Sequence, residues 1–289
     1  MTAHKCKVLV DGPGAGSYNM AVEEVLLAET AEADSGLTYL RFFQWVQPTL
    51  SLGFSQKPGR VINWGFCRQN RIECVKRITG GKAVLHHKEL TYSIVSNDSA
   101  LFPFTDIGET YSRIARALVL GFGHLGIETV LAGGPNHNRG HCRPTAACFA
   151  TANHHEILWE SRKLVGSAQR RTKTAFLQHG SILFDFDSEM LAGALLQENP
   201  SELRSQVASL KQCLGTVPKC EEVISCLKEG FIDFFGVQFK ATSLNLEKQR
   251  YATELACSKY APLKCENETD LPIARQVVNL ASSGAAKMA

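Results

Sequence analysis

In Lys76-Arg77-Ile78-Thr79-Gly80-Gly81-Lys82-Ala83-Val84-Leu85-His86-His87, two adjacent glycines break a run with strand preferences, and basic residues gather around the break. Glycine lacks Cβ, so a ligand can come close to the backbone N–H groups there. An anionic or carbonyl ligand suits such a spot. A basic hairpin with a glycine turn suits the composition equally, and His86 taken alone reads as a structural histidine.

Strand patterns flank this stretch. Leu37–Trp45 and residues 49–53 read as strands split at Gln47-Pro48, and residues 72–77, 83–87 and 90–96 as three more. Before them, Ser17 predicts an N-cap and apolar residues from Met20 to Ala28 recur at helical spacing, so a helix is expected over 18–34, ended by Gly36. After them, 109–120 carries a helical stripe, 127–131 reads as a strand, and 132–145 is a loop that delivers the chain to Cys148. Alternation predicts strands over 156–165 and 175–187, the first turning near Glu160-Ser161 as a hairpin. Helices over 188–196, 201–214 and 219–235, a strand over 237–243, a last helix over 245–260 and a frayed tail complete the chain. There is no internal repeat or low-complexity linker, which points to one α+β domain with a helical C-terminal end.

Composition narrows the function classes. The 289 residues are 44% hydrophobic and 20% charged, and 31 Lys and Arg against 28 Asp and Glu leave a net charge of +3. Such a chain buries enough surface to offset its entropy and shows no long basic stripe for nucleic acid or anionic membrane. No apolar run is long enough to span a bilayer, and the N-terminus has no signal-peptide core, so a cytoplasmic protein is expected. Ten cysteines in such a chain read as reduced thiols. No C-x-x-C pattern precedes His137 and His141, so no zinc site is expected.

Two glycine patterns bear on a dinucleotide cofactor. Gly121-Phe-Gly123-His-Leu-Gly126 follows a helix and leads into a strand, the reverse of a phosphate-binding turn, and reads as a helix end. Gly12-Pro-Gly14-Ala-Gly16 stands between a short strand and a helix, but its third glycine is misplaced.

A second polar cluster comprises Cys148, Glu156 to Glu160, Arg162-Lys163 through Arg171, and Gln178-His179-Gly180-Ser181. Lys163 follows Cys148 by fifteen residues on a hairpin strand, which could bring Nζ beside Sγ, and a cation there stabilises thiolate. Two unit charges about 4 Å apart at an effective dielectric near 20 interact by roughly 4 kcal/mol, and lowering a thiol pKa by two units takes only about 2.7 kcal/mol. One lysine suffices. Chosen at random, Cys148 would be one buried thiol among ten and Lys163 part of a solvated strand face.

These segments together resemble the biotin/lipoate protein ligase superfamily, most closely the octanoyltransferases of lipoate assembly. The matching stretches are Tyr18-Asn19-Met20-Ala21, residues 48–53, Arg77 to His86, Glu89-Leu90-Thr91-Tyr92-Ser93, Ala147-Cys148-Phe149, Arg162 to Gln169, and Gln178-His179-Gly180-Ser181. The resemblance implies the α+β catalytic domain shared with class II aminoacyl-tRNA synthetases and biotin ligases, a mixed sheet with flanking helices, here over 1–243, with a C-terminal helix and tail over 244–289 packed on the same domain. It implies a tunnel for an acyl chain and makes Arg77, Gly80, Gly81, His86, Tyr92, Gly166, Ser167, Gln169, His179 and Gly180 candidate binding residues. Cys148 and Lys163 become the catalytic candidates. Where the family favours glycine before Arg-Lys, this chain has Ser161, and where it favours arginine, this chain has Lys76.

The cysteine sets the subclass that the resemblance implies. Transferases hold the acyl group on it as a thioester, taking octanoyl from octanoyl-acyl carrier protein and passing it to a lysine of a lipoyl-carrier protein such as glycine-cleavage H protein or an E2 lipoyl domain. No metal, ATP or nicotinamide is then required. The alternatives are an ATP-dependent lipoate ligase that makes an acyl-adenylate, a lipoyl or octanoyl amidotransferase between carrier proteins, and a non-enzymatic acyl-binding homologue.

Overall fold

A computed structural model describes residues 4–34, 36–104, 106–132 and 155–265. Cys148, Cys142, His137 and His141 lie outside them.

The chain opens with strand β1 (Lys5–Gly14), helix α1 (Gly16–Glu32), β2 (Leu37–Trp45) and β3 (Thr49–Leu52). Two short helices, α2 (Pro58–Val61) and α3 (Trp64–Gln69), lead to β4 (Glu73–Lys76), β5 (Val84–His86) and β6 (Glu89–Ser96). Helix α4 (Ile107–His124) and β7 (Val130–Leu131) come next. After the undescribed segment come β8 (Ile157–Trp159), β9 (Arg162–Lys163), β10 (Val165–Arg171) and β11 (Phe176–Leu183). The chain then forms α5 (Ser188–Ala194), α6 (Pro200–Gln206), α7 (Leu210–Leu214), α8 (Cys220–Phe235), β12 (Lys240–Ala241) and α9 (Leu246–Ser258).

The main sheet has six strands in the order β10-β11-β6-β2-β1-β12, parallel where β1 meets β2 and β12 and antiparallel elsewhere. Strand alternation serves two cores. Tyr92 and Ile94 of β6 face Ile114, Leu118, Leu227 and Phe231 of α4 and α8, while Val95 faces the opposite way, with Leu177, towards Val25 and Leu26 of α1. Helix α9 packs on α1 through Ala252 and Ala256. A three-stranded sheet, β4-β3-β5, forms a third core with α3, α5 and α6. Among the described residues no helix is long and apolar enough to cross a membrane.

Several local expectations change for reasons that lie far away in sequence. Ser17 does not cap α1; Glu73 of β4 accepts from the Gly16 and Ser17 amides at 3.2 and 3.4 Å. That carboxylate takes the position a dinucleotide phosphate would need at this helix N-terminus. Helix α4 runs past Gly121, where a Cβ would lie 2.7 Å from Leu227 Cα, so this glycine lets α8 approach; the left-handed Gly126 (φ +76°) follows the helix end.

The helix expected over 201–214 is two helices, because the Ala208 amide between them donates to the Lys163 carbonyl. Strand β10 was not expected as a strand: its polar sequence hides the pairing with β11. The strands expected over 127–131 and 237–243 shorten to two residues each. At the β8–β9 turn, Glu160 and Ser161 both adopt positive φ (46° and 64°), as a two-residue hairpin of the primed type requires, which explains why glycine would be favoured at 161.

Candidate active site

The site forms where the α1 face of the main sheet changes from apolar to polar. On that face β6 places Glu89, Thr91 and Ser93 ahead of Val95, and β11 places Ser181 and His179 ahead of Leu177, in register across the pair. Helix α1 contributes Asn19, Met20 and Glu23, and the small sheet contributes Ser51, Arg77 and His86. These three elements meet over β10.

A hydrogen-bond network joins the buried groups, with Arg77 at its centre. Arg77 Nε donates to Thr79 Oγ1 at 3.0 Å, and NH1 donates to Ser51 Oγ at 3.1 Å and to its carbonyl at 2.8 Å. Each hydroxyl meets a histidine: Thr79 Oγ1 lies 2.8 Å from His179 Nε2, and Ser51 Oγ lies 2.8 Å from His86 Nε2. Each histidine turns its Nδ1 to a carboxylate, His179 to Glu23 at 3.0 Å and His86 to Glu89 at 3.3 Å. Because both hydroxyls accept from Arg77, their own protons are available for the two Nε2 atoms. A neutral His86 with its proton on Nδ1 satisfies both of its partners.

The charges around the histidines are arranged accordingly. Burial, the largest influence on His86, pushes its pKa down; the charges of Arg77 and His179 add to this and Glu89 opposes it. Burial raises Glu23, but the His179 hydrogen bond and charge and the Arg41 guanidinium prevail and hold the carboxyl below the usual carboxylate range. Arg41, itself fully buried, pairs with Glu23 at 3.2 Å and with Asp11 at 2.6 Å. Glu89 accepts from Thr91 Oγ1 at 2.5 Å and from Ser181 Oγ.

Between these groups lies a narrow pocket of about 330 Å³, part of which is open to solvent. Of the residues singled out from sequence, Arg77, His86, Gly166, Ser167, His179 and Gly180 line it; Met20, Trp45, Ser51, Val84, Thr91, Ala168 and Ser181 complete the walls. Gly180 has a specific steric reason. Tyr92 OH reaches past it to Ser167 Oγ at 2.8 Å, and a Cβ on Gly180 would lie 2.5 Å from the Tyr92 ring and 2.7 Å from that hydroxyl oxygen.

The other sequence candidates stand outside the pocket lining. Tyr92 lies beneath Gly180 and accepts from Gln178 Nε2 at 3.2 Å; burial raises its pKa against these hydrogen bonds. Gln169 lies further along β10 between Gln178 and Arg171. Gly80 and Gly81 form a turn clamped by Arg77, whose NH2 donates to the Gly80 carbonyl at 2.8 Å; Gly81 has φ +86°, and the backbone of Gly53 packs against the turn so closely that no Cβ would fit. Lys163 is buried rather than on a solvated strand face, and Nζ donates to Glu156 Oε1 at 2.5 Å.

Sequence reasoning missed Glu23, Arg41, Ser51, Trp45 and Glu89 as members of the site. A signal existed for two: Arg41 is a lone charge inside Leu-Thr-Tyr-Leu-Arg-Phe-Phe, and Glu23 interrupts the apolar run from Met20 to Leu27.

Fold and pocket together define an α+β domain with a narrow pocket set against a polar network. The sequence profile of the Lipoyl protein ligase A/B catalytic domain matches residues 15–232, and the chain belongs to that family. An octanoyltransferase LipM of Kyrpidia tusciae is 33% identical over 259 residues, which cover 86% of this chain and 94% of that protein. An octanoyltransferase LipM of Carboxydothermus hydrogenoformans is 33% identical over 252 residues, 85% of this chain and 92% of that one. Among solved structures, lipoate-protein ligase A bound with ATP matches at TM-score 0.72 and 22% identity over 88% of this chain and 95% of that chain, which shows the shared fold.

Proposed function

We propose that this chain is an octanoyltransferase of lipoate assembly. It takes an octanoyl group from octanoyl-acyl carrier protein onto Cys148 and passes it to a lysine of a lipoyl-carrier protein, such as glycine-cleavage H protein or an E2 lipoyl domain. The observation that carries this reading is the likeness to octanoyltransferases over nearly their whole length. The pocket supports it, since burying the seven carbons beyond the carbonyl would contribute at most about 5 to 6 kcal/mol, at roughly 0.8 per CH₂.

The transfer runs in two half-reactions. Cys148 thiolate attacks the donor thioester carbonyl, the carbonyl–sulfur bond to the carrier breaks, and the carrier thiol leaves with a proton. The acceptor amine then attacks the acyl-enzyme, an amide forms, Cys148 thiolate departs, and the amine proton goes to a base or to water. Lys163, held by Glu156, supplies positive charge that favours the thiolate. The catalytic domain spans 1–243 with helix α9 packed on it, the tail expected after α9 lies outside the described residues from 266 onward, and the protein works in the cytoplasm without metal, ATP or nicotinamide.

Intact mass spectrometry after incubation with octanoyl-acyl carrier protein tests this. A hydroxylamine-labile octanoyl adduct that disappears in Cys148→Ala is expected. Pyrophosphate release from octanoate and Mg-ATP, with no adduct, would move the chain to the ligase class.

A further inference from the structure

Phe54 is 58% exposed at the start of the loop that follows β3, directly beside the Gly80–Gly81 turn, and its amide donates to the Thr79 carbonyl at 2.9 Å. Two cations flank the ring. Lys76 Nζ on β4 lies 5.7 Å from its centroid, and the Arg170 guanidinium on β10 lies 5.6 Å from it. Such contacts fix the position of a charge without neutralising it.

Among the described residues no carboxylate pairs with Lys76, Arg170 or the nearby exposed Lys57. The patch joins the pocket along β10. Arg170 stands two residues beyond the pocket-lining Ala168 on the same face of the strand, and a Cβ on Gly81 would lie 3.6 Å from Ala168 Cβ. Phe54 therefore bridges the small sheet and the edge of the main sheet beside the pocket wall, with uncompensated positive charge on both sides.

An exposed aromatic ring between fixed, unpaired cations matches a protein surface that is acidic around an apolar point. Aromatic and arginine side chains supply binding energy at interface centres, and complementary charge steers encounter. We propose that Phe54, Lys76 and Arg170 form the docking surface for an acidic face of the carrier protein that delivers the acyl chain to the pocket. This rests on the acyl-transfer reading above and adds the place where the donor sits.

The test compares single-turnover acylation of the full chain by octanoyl-acyl carrier protein and by the octanoyl thioester of free pantetheine. Lys76→Glu/Arg170→Glu is expected to raise the half-saturating concentration of the carrier-borne donor by about tenfold or more at low salt, with the plateau rate unchanged. The pantetheine thioester should be used as well as by the parent chain. Added salt should weaken carrier use by the parent chain and lose most of that effect in the variant, whereas Lys76→Arg/Arg170→Lys should behave like the parent.

Equal loss with both thioesters would overturn the proposal, since it would place the damage in the pocket. Unchanged carrier use by the charge-reversed variant would overturn it too. So would a defect confined to transfer from the preformed acyl-enzyme to the acceptor. A parent chain acylated by neither thioester would overturn the transferase reading as well, so the two failures are distinguishable.

Discussion

Trp45 and His86 stack with ring centroids 3.8 Å apart and 15° between their planes, and the stack stands between two cavities. Both rings line the narrow pocket on one side. On the other they line a cleft of about 580 Å³ that includes Gln47, Pro48 and Lys88. Trp45 Nε1 donates to Thr91 Oγ1 at 2.9 Å, which fixes the indole in place.

Removing the indole should join the cavities. The parent chain is expected to transfer C8 faster than C4, which binds more weakly, and faster than C16, which meets the Trp45–His86 wall. Trp45→Ala should raise C16 transfer relative to C8. Competition assays with C4, C8 and C16 acyl carriers check this; a C16 to C8 ratio that Trp45→Ala leaves unchanged would place the end of the chain elsewhere.

Gly180 allows no side chain between Tyr92 and Ser167. Gly180→Ala should destabilise the fold by about 1 to 3 kcal/mol through overpacking, read as a lower urea midpoint. Ser167→Ala in the same background removes the hydroxyl but leaves the Tyr92 ring contact, so it should recover only part of the loss.

The Lys163–Glu156 pair separates a structural role from a chemical one. Their side chains are 4% and 12% exposed, so Lys163→Ala leaves a largely buried carboxylate without this partner, at a cost of about 3 to 5 kcal/mol. Lys163→Met/Glu156→Leu should restore stability. It should not restore acylation, because the thiol is expected to return towards a pKa near 8.5, with only about 3% thiolate at pH 7; raising the pH should recover part of the rate. A stable double variant with parental acylation at pH 7 would remove Lys163 from the chemistry.

His86 gives the fold an acid-sensitive element. Its folded pKa lies below the unfolded value of about 6.5, chiefly through burial, so the unfolded chain binds the additional proton. The stability this contributes is present above pH 6.5 and is lost as the pH falls below it. Unfolding free energies measured from pH 7.5 to 5 should decline in that window, and His86→Gln should flatten the decline.

The sequence by itself determined the parts of this protein that depend on short-range pattern. The exact span of β2 follows from its residue preferences and the Gln47-Pro48 break, the body of α1 from its apolar spacing, and the interruption between β4 and β5 from the paired glycines. Family membership was also legible, because motifs from Tyr18 to Ser181 keep their order. Tertiary structure alone decided which groups meet. Glu73 caps a helix 57 residues earlier, Thr79 meets His179 across 100 residues, and Glu23 meets His179 across 156. Nothing in the local sequence encodes those distances, since hydrogen-bond partners are fixed by how sheets and helices pack, whereas periodicity records only which face of an element is buried. Strand β10 shows the same limit: its sequence is too polar to read as a strand, and it becomes one because β11 supplies the partner for its backbone.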